Sequence, residues 1–251
     1  MKIIGLVKVR DESLIMKETL DHWGKVCTGG IYVYDDVSND DTVKICEDHP
    51  SIKKVIKGEY WDPDRERAEH VNRHAVLEAA QEDAADDDWF VYFDADERIE
   101  GLDYSVFFAE DVKAIACKLF DFYITNEDAH KHYTERTWIG PEYRSIVFFF
   151  KNSPDLSYDK PDQRIVNLPD AGRIVFSGMI KHYGKAISVE EWEKTCDYYI
   201  EHWPKYSEKW RHRKGKAVKK DYKSDFGNDL IHWHEAEEKG FSLERMPYGL
   251  N

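Results

Sequence analysis

Asp94 and Asp96 stand one alanine apart, directly after Trp89-Phe90-Val91-Tyr92-Phe93 and directly before Glu97. Two carboxylates this close repel each other unless a cation lies between them. Hard oxygen donors suit Mg²⁺ or Mn²⁺, and such ions commonly also hold the phosphates of a ligand. The chemistry these residues suggest is the binding of a metal–diphosphate group. Two further charged segments follow short apolar runs in the same way. Val9-Arg10-Asp11-Glu12 ends the run that starts at Ile3, and Asp35-Asp36-Val37-Ser38-Asn39-Asp40-Asp41-Thr42 ends Ile31-Tyr32-Val33-Tyr34.

The elements that must position these segments can be read from periodicity. Short apolar runs at 3–9, 31–34, 53–57 and 89–93 predict buried strands. Between them lie predicted helices from Asp11 or Ser13 to Trp23, over Thr42–Glu47, and from Arg65 to Gln81. Leu14, Ile15, Leu20 and Trp23 are the apolar positions of the first, and Val71, Ala75 and Leu77 are among the buried positions of the third. Strands alternating with helices predict a mainly parallel, helix-flanked sheet. The three charged segments then share the carboxyl edge, where open α/β sheets take their ligands. After Gly101 the rhythm changes. Longer strands are expected at 112–124 and 145–151, and shorter ones at 164–167, 173–176 and 179–182. From Ser188 the pattern is helical, with Val189, Trp192, Cys196 and Tyr199 at helical spacing and a last helix over about 225–239.

In order and spacing, the first hundred residues resemble the family 2 glycosyltransferases. In that family the first strand ends in a Val-Pro-Val-Tyr-Asn-Glu type segment, here Val7 to Glu12. The second carries Asp-Asp-Gly-Ser-x-Asp-x-Thr, here Asp35 to Thr42 with Val37 in the place of glycine. The third element is the DXD motif, here Asp94-Ala95-Asp96, and an Arg-x-x-x-x-Asn element is similar to Arg67 and Asn72. The resemblance implies a GT-A-like (Rossmann-like) mixed α/β sheet flanked by helices. Residues 1–185 would form it, 1–100 as the nucleotide-binding half and 101–185 as the acceptor half, with 186–251 a helical extension. It implies an inverting transferase that moves a sugar from a nucleoside diphosphate sugar, of the UDP type, to an acceptor hydroxyl, with Mn²⁺ or Mg²⁺ as cofactor. Val9, Arg10, Asp35, Asp36, Arg67 and Asp94 would contact the donor. Asp94, Asp96 and His182 would hold the metal, His182 on a His-Tyr pair similar to that of a bacterial subgroup and with a diphosphate contact as its alternative role. Asp162 would be the general base, with Asp159 as the alternative. The second half departs from the family pattern: it has no Glu-Asp base motif and no Gln-x-x-Arg-Trp motif.

Composition narrows the classes. The 251 residues carry 36 Lys and Arg against 50 Asp and Glu, a formal charge of −14. So acidic a chain is a poor general binder of nucleic acid. The basic stretch 205–223 departs from that average, as a solvated helix face, a site for an anionic acceptor, a membrane surface or an acidic partner. Cys27, Cys46, Cys117 and Cys196 form no CxxC pair, which argues for a reducing compartment. No run approaches the roughly 20 apolar residues of a membrane span. A cytoplasmic protein is expected, with peripheral membrane contact left open. His232-Trp233-His234-Glu235 lacks the i, i+4 spacing of a metal-binding helix. Two other functions fit parts of the pattern. A sugar nucleotidyltransferase would share the sheet and metal but needs a glycine-rich loop, and Val9–Glu12 has no glycine. A non-catalytic nucleotide-sugar-binding module would need no base.

Overall fold

The computed structural model describes residues 1–161, 163–168 and 172–243. They form two compact units. The first holds Met1–Cys117 and Ile146–Gly178, and the second holds Lys118–Ser145 and the residues from Met179 onward. Three long strands contribute residues to both units.

The chain runs β1 (Ile3–Val9), α1 (Met16–Trp23), β2 (Ile31–Asp35), α2 (Thr42–Asp48), β3 (Ile52–Lys57), α3 (Arg65–Gln81), β4 (Trp89–Tyr92) and β5 (Glu97–Glu100). It continues through β6 (Val112–Phe122), β7 (Trp138–Lys151), β8 (Arg173–His182), α4 (Val189–His202), α5 (Ser207–Arg213), β9 (Ile231–His232), α6 (Ala236–Lys239) and β10 (Phe241–Ser242). In the first unit β3, β2, β1 and β4 lie side by side and parallel, and β7 pairs antiparallel with β4 through Phe149–Lys151. The strands there follow the order β3-β2-β1-β4-β7-β6-β8-β5.

Burial explains why these segments are strands. All four residues of β4 are buried, as expected of a central strand covered on both faces. Trp23 of α1 stacks on Phe93 at 4.4 Å, on one side of the sheet. Val76, Leu77 and Ala80 of α3 pack with Ile4, Leu6, Tyr32 and Phe90. The α3 helix starts where Asp64 Oδ1 accepts from the Arg67 amide at 3.1 Å, a side-chain N-cap.

Several expectations need correction. Leu14 lies before α1 in a turn and is 59% exposed. Val71 is 50% exposed, because the buried stripe of α3 runs through 69, 72, 73, 76, 77 and 80, and position 71 falls on the opposite side. Residues 164–167 form no strand, only a bridge between Ser157 and Asn167. The segments 173–176 and 179–182 are one strand, continuous through Gly178, whose φ of +84° any side chain would resist. A Cβ there would also meet Ile99 Cδ1 at 3.1 Å.

In the second unit β9 and β10 pair with β7. Ser188 caps α4 by accepting from the Glu191 amide at 3.0 Å, and Trp192 and Cys196 of that helix are buried with Ala217. The expected last helix shrinks to Ala236–Lys239. Gly227 takes φ +83° in a turn that ends at Asn228, so the chain is not helical there. Among the described residues no helix is long and apolar enough to cross a membrane.

Candidate functional site

The carboxyl ends of β1 and β2 are stitched together by short polar side chains. The Asp36 amide donates to Val9 O at 2.9 Å, and the Asp11 amide to Ser38 Oγ at 2.9 Å. In return the Asn39 amide donates to Asp11 Oδ1 at 2.6 Å. Thr42 Oγ1 accepts from the Glu12 amide at 2.7 Å, and Asp40 Oδ2 from the Ser13 amide at 3.0 Å. This accounts for the Ser-x-Asp-x-Thr spacing: each side chain closes one backbone donor of the facing loop. Val37, which stands where the resemblance has glycine, takes φ +61°. A β-branched residue in the left-handed region is a rare and strained placement. The glycine conformation is kept although the glycine is not.

Asp35 and Asp36 are both buried. The Asp35 carboxylate accepts from the Ser38 amide at 3.2 Å. The Asp36 carboxylate accepts from Arg65 Nη2 and has Lys8 Nζ at 3.7 Å. Arg10 donates to Asp36 O at 2.9 Å, and the guanidiniums of Arg10 and Arg65 each lie 5.1 Å from the Trp61 ring. Aromatic faces attract cations at this range.

From Asp36 an ionic network runs along α3 to the end of β4. Lys8 Nζ donates to Glu69 Oε1, and Arg73 Nη2 lies 2.8 Å from Glu69 Oε2. Arg73 Nε donates to Tyr92 OH at 3.0 Å, and its Nη1 to Gln163 O at 2.7 Å. The Tyr92 ring has Arg73 at 5.3 Å and Arg164 at 5.2 Å. Arg164 then donates through Nη1 to Asp94 Oδ2 and through Nη2 to Glu97, at 2.7 Å and 3.0 Å. Burial alone would push the Glu69 carboxyl up, but Lys8, Arg73 and Arg65 outweigh it and hold the group down at about 2. For Arg164, burial acts to lower the pKa, and Asp94 and Glu97 outweigh it, so the guanidinium stays firmly charged.

The β4–β5 turn therefore carries Asp94 and Glu97 against Arg164, with Asp96 between them in the chain. Glu97 is buried and also accepts from the Asp94 amide at 2.7 Å. Asp94 and Asp96 are half-buried. Asp94, Asp96 and Glu97 all offer hard oxygen donors. That set fits Mg²⁺ or Mn²⁺ better than a softer ion.

The other expected site residues are placed as follows. Val9 ends β1 and accepts the Asp36 amide. Arg67 is on the outer side of α3, its side chain 55% exposed, where it pairs with Asp62 at 2.6 Å. The arginine that points inward is Arg65, two residues earlier. Asn72 is buried on α3. His182 ends β8 in the second unit, with Nδ1 on Asp121 Oδ1 and Arg144 Nη2 at 3.4 Å. Asp162 lies outside the described residues. Asp159 is exposed and accepts from Asn167 Nδ2 at 2.6 Å.

Five residues of the network are absent from the site residues expected from sequence: Lys8, Arg65, Glu69, Arg73 and Arg164. A signal for three of them exists. Arg65, Glu69 and Arg73 are spaced i, i+4, i+8, on the helix stripe that continues as Val76, Leu77 and Ala80. Charges on the buried stripe of an otherwise apolar helix face mark a place where charge is needed.

No family model matches the chain, and no curated protein matches it. Similar solved structures include S. aureus TarS 1–349 in complex with UDP, at 14% identity and a TM-score of 0.45, covering 85% of this chain and 71% of that one. Another is glucosyl-3-phosphoglycerate synthase from Mycobacterium tuberculosis in complex with Mn²⁺, UDP and glucosyl-3-phosphoglycerate, at 14% identity and a TM-score of 0.33, covering 47% of this chain and 44% of that one. A third is mannosyl-3-phosphoglycerate synthase from Rubrobacter xylanophilus, at 17% identity and a TM-score of 0.34, covering 55% of this chain and 45% of that one. The chain thus spans less than half the length of the two synthases. It is a mixed α/β protein whose mostly parallel sheet is flanked by helices, the class its alternating apolar runs lead one to expect.

Proposed function

We propose that this chain is a metal-dependent, inverting glycosyltransferase of the GT-A type, which moves a sugar from a nucleoside diphosphate sugar, UDP-linked, to an acceptor hydroxyl. The observation that supports this most is the ionic network at the carboxyl edge of β1, β2 and β4. Buried charges are costly to fold, because desolvation can exceed the gain from pairing. A run of them from Asp36 through Arg65, Lys8, Glu69, Arg73 and Arg164 to Asp94 is therefore a feature to be explained by use rather than by stability. It lies at the edge where open α/β sheets take nucleotides.

Each residue has a role in this reading. Asp94 and Asp96 hold Mn²⁺ or Mg²⁺, which when bound offsets the charge that develops on the leaving diphosphate. Arg164 fixes the Asp94 and Glu97 carboxylates in position. Val9, Arg10 and the Asp35–Asp36 turn stand at the nucleoside end, with the Trp61 face and its two arginines beside them. Asp162 takes the proton from the acceptor hydroxyl, as an inverting displacement requires of one carboxylate.

Incubation of the purified chain with Mn²⁺ and a panel of sugar nucleotides tests the proposal. Slow, metal-dependent hydrolysis of one donor is expected, and Asp162→Ala should keep donor binding while losing transfer once an acceptor is found. Neither hydrolysis nor metal-dependent binding across the whole panel would refute the transferase reading.

A further inference from the structure

The second unit concentrates positive charge in a chain whose formal charge is −14. Two buried carboxylates, Asp121 and Asp225, anchor the cluster. Asp121 accepts from Arg144 at 2.7 Å and from Lys185 at 2.7 Å. Asp225 has Lys185 at 2.9 Å, Arg213 at 2.9 Å and Lys219 at 2.6 Å. Both carboxyls are held well below the ordinary range by these cations, despite burial. Each carboxylate is thus already paired with two or three cations of this unit.

Beside them opens a cleft of about 450 Å³ lined by Lys209, His212, Arg213, Lys216, Lys219 and Asp225, with Ser224 and Phe226. Among the described residues, no carboxylate oxygen lies within 4.0 Å of the Nζ of Lys209 or Lys216. Lys209 is half-buried with its Nζ 6.0 Å from the Tyr206 ring, a weak compensation for a desolvated ammonium. Burial, and then Arg213 and Lys185, push it down to about 8. Lys209, Arg213, Lys216 and Lys219 on the walls face one carboxylate, Asp225, that is already shared three ways. An acidic chain that keeps this arrangement has a use for an anion there.

We infer that this cleft is a binding site for a phosphomonoester group, held by Lys209, Arg213, Lys216 and Lys219. A phosphate is favoured over a carboxylate by charge and by valence. It brings close to two negative charges and three acceptor oxygens to walls that offer several separate donors. The cleft is a single concavity rather than a stripe along one face, so it suits one small group and not a nucleic acid track. Its volume leaves room for the organic part of an ester beside the Phe226 ring. The site binds its ligand whether or not the first unit handles a sugar nucleotide.

Calorimetric titration of the full chain with inorganic phosphate and with glycerol phosphate, at constant ionic strength, tests the site directly. Saturable binding of one equivalent of either probe is expected, with acetate at least about tenfold weaker. Lys209→Met should weaken phosphate binding by about tenfold or more, the loss of one charge-assisted hydrogen bond. Lys209→Arg should restore it, and Lys17→Met, on an exposed lysine of the first unit, should leave it unchanged. If Lys209→Met fails to fold, exposed Lys216→Met gives the same reading. No saturable heat up to about 10 mM of either probe overturns the site, and so does binding that Lys209→Met leaves intact or that acetate equals.

Discussion

Arg65 and Arg67 are two residues apart on the same helix, and the structure gives them opposite weights. The side chains of Arg65 and its partner Asp36 are 1% and 3% exposed. Removing one member of a buried pair costs about 3–5 kcal/mol, because the other charge stays in the low-dielectric interior. In Arg65→Met, however, Asp36 keeps Lys8 at 3.7 Å. At an effective dielectric of about 20 that separation is still roughly 4 kcal/mol of attraction. The loss should therefore fall at the low end, about 3 kcal/mol, which for a chain of this size lowers Tm by about 6–12 °C. Arg67→Met breaks a pair whose arginine is 55% exposed and should leave the urea midpoint nearly unchanged. Adding Asp36→Asn to Arg65→Met removes the stranded carboxylate, so the double variant should be more stable than the sum of the singles by about 1–2 kcal/mol. Urea unfolding of the four variants measures all of this. A cost for Arg65→Met below about 1 kcal/mol, or equal to that of Arg67→Met, would refute the assignment of the buried pair.

Glu69 gives a pH signature. Its carboxyl sits at about 2 in the fold against an ordinary 4.5, so its contribution is whole above about 4.5 and is lost as pH falls toward 2. Glu69→Gln should flatten the urea-midpoint profile across that window, and an unchanged acid limb contradicts the reading. Arg164→Met leaves Asp94 and Glu97 without their shared guanidinium, and stability without metal should fall by about 2–3 kcal/mol. Millimolar Mn²⁺ should then raise the Tm of this variant more than that of the parent, and equal shifts count against Arg164 as the counter-ion of the turn.

Much of the first unit was legible because its signals are local. β1, β2 and β4 are short continuous apolar runs, and α3 begins and ends where its capping and periodicity place it. The Asp35–Thr42 segment was legible as a unit because each side chain serves a backbone donor a fixed distance away. The ionic network was not, since Asp36 and Arg65 are 29 residues apart and Asp94 and Arg164 are 70 apart. Periodicity says which face of α3 is inward, but not that charges on that face will find partners. Arg67 was singled out from a resemblance in spacing, and the two residues that separate it from Arg65, about 200° of helical rotation, put it on the outer side. In the second unit an apparent helix over 225–239 is divided by the turn at Gly227, and His232 lies 3.8 Å from the Trp138 ring. That histidine is accounted for by packing, which a two-letter pattern of His and Trp cannot reveal.

In the proposed reading the Asp94–Asp96 turn binds a diphosphate through a divalent cation. Titration of UDP into the chain with and without Mn²⁺, on the parent and on Asp96→Asn, distinguishes this from binding without metal. Binding should require Mn²⁺ in the parent and be weakened by about tenfold or more in Asp96→Asn, with the fold intact by circular dichroism. UDP binding of equal strength without metal, or unaltered by Asp96→Asn, would contradict it.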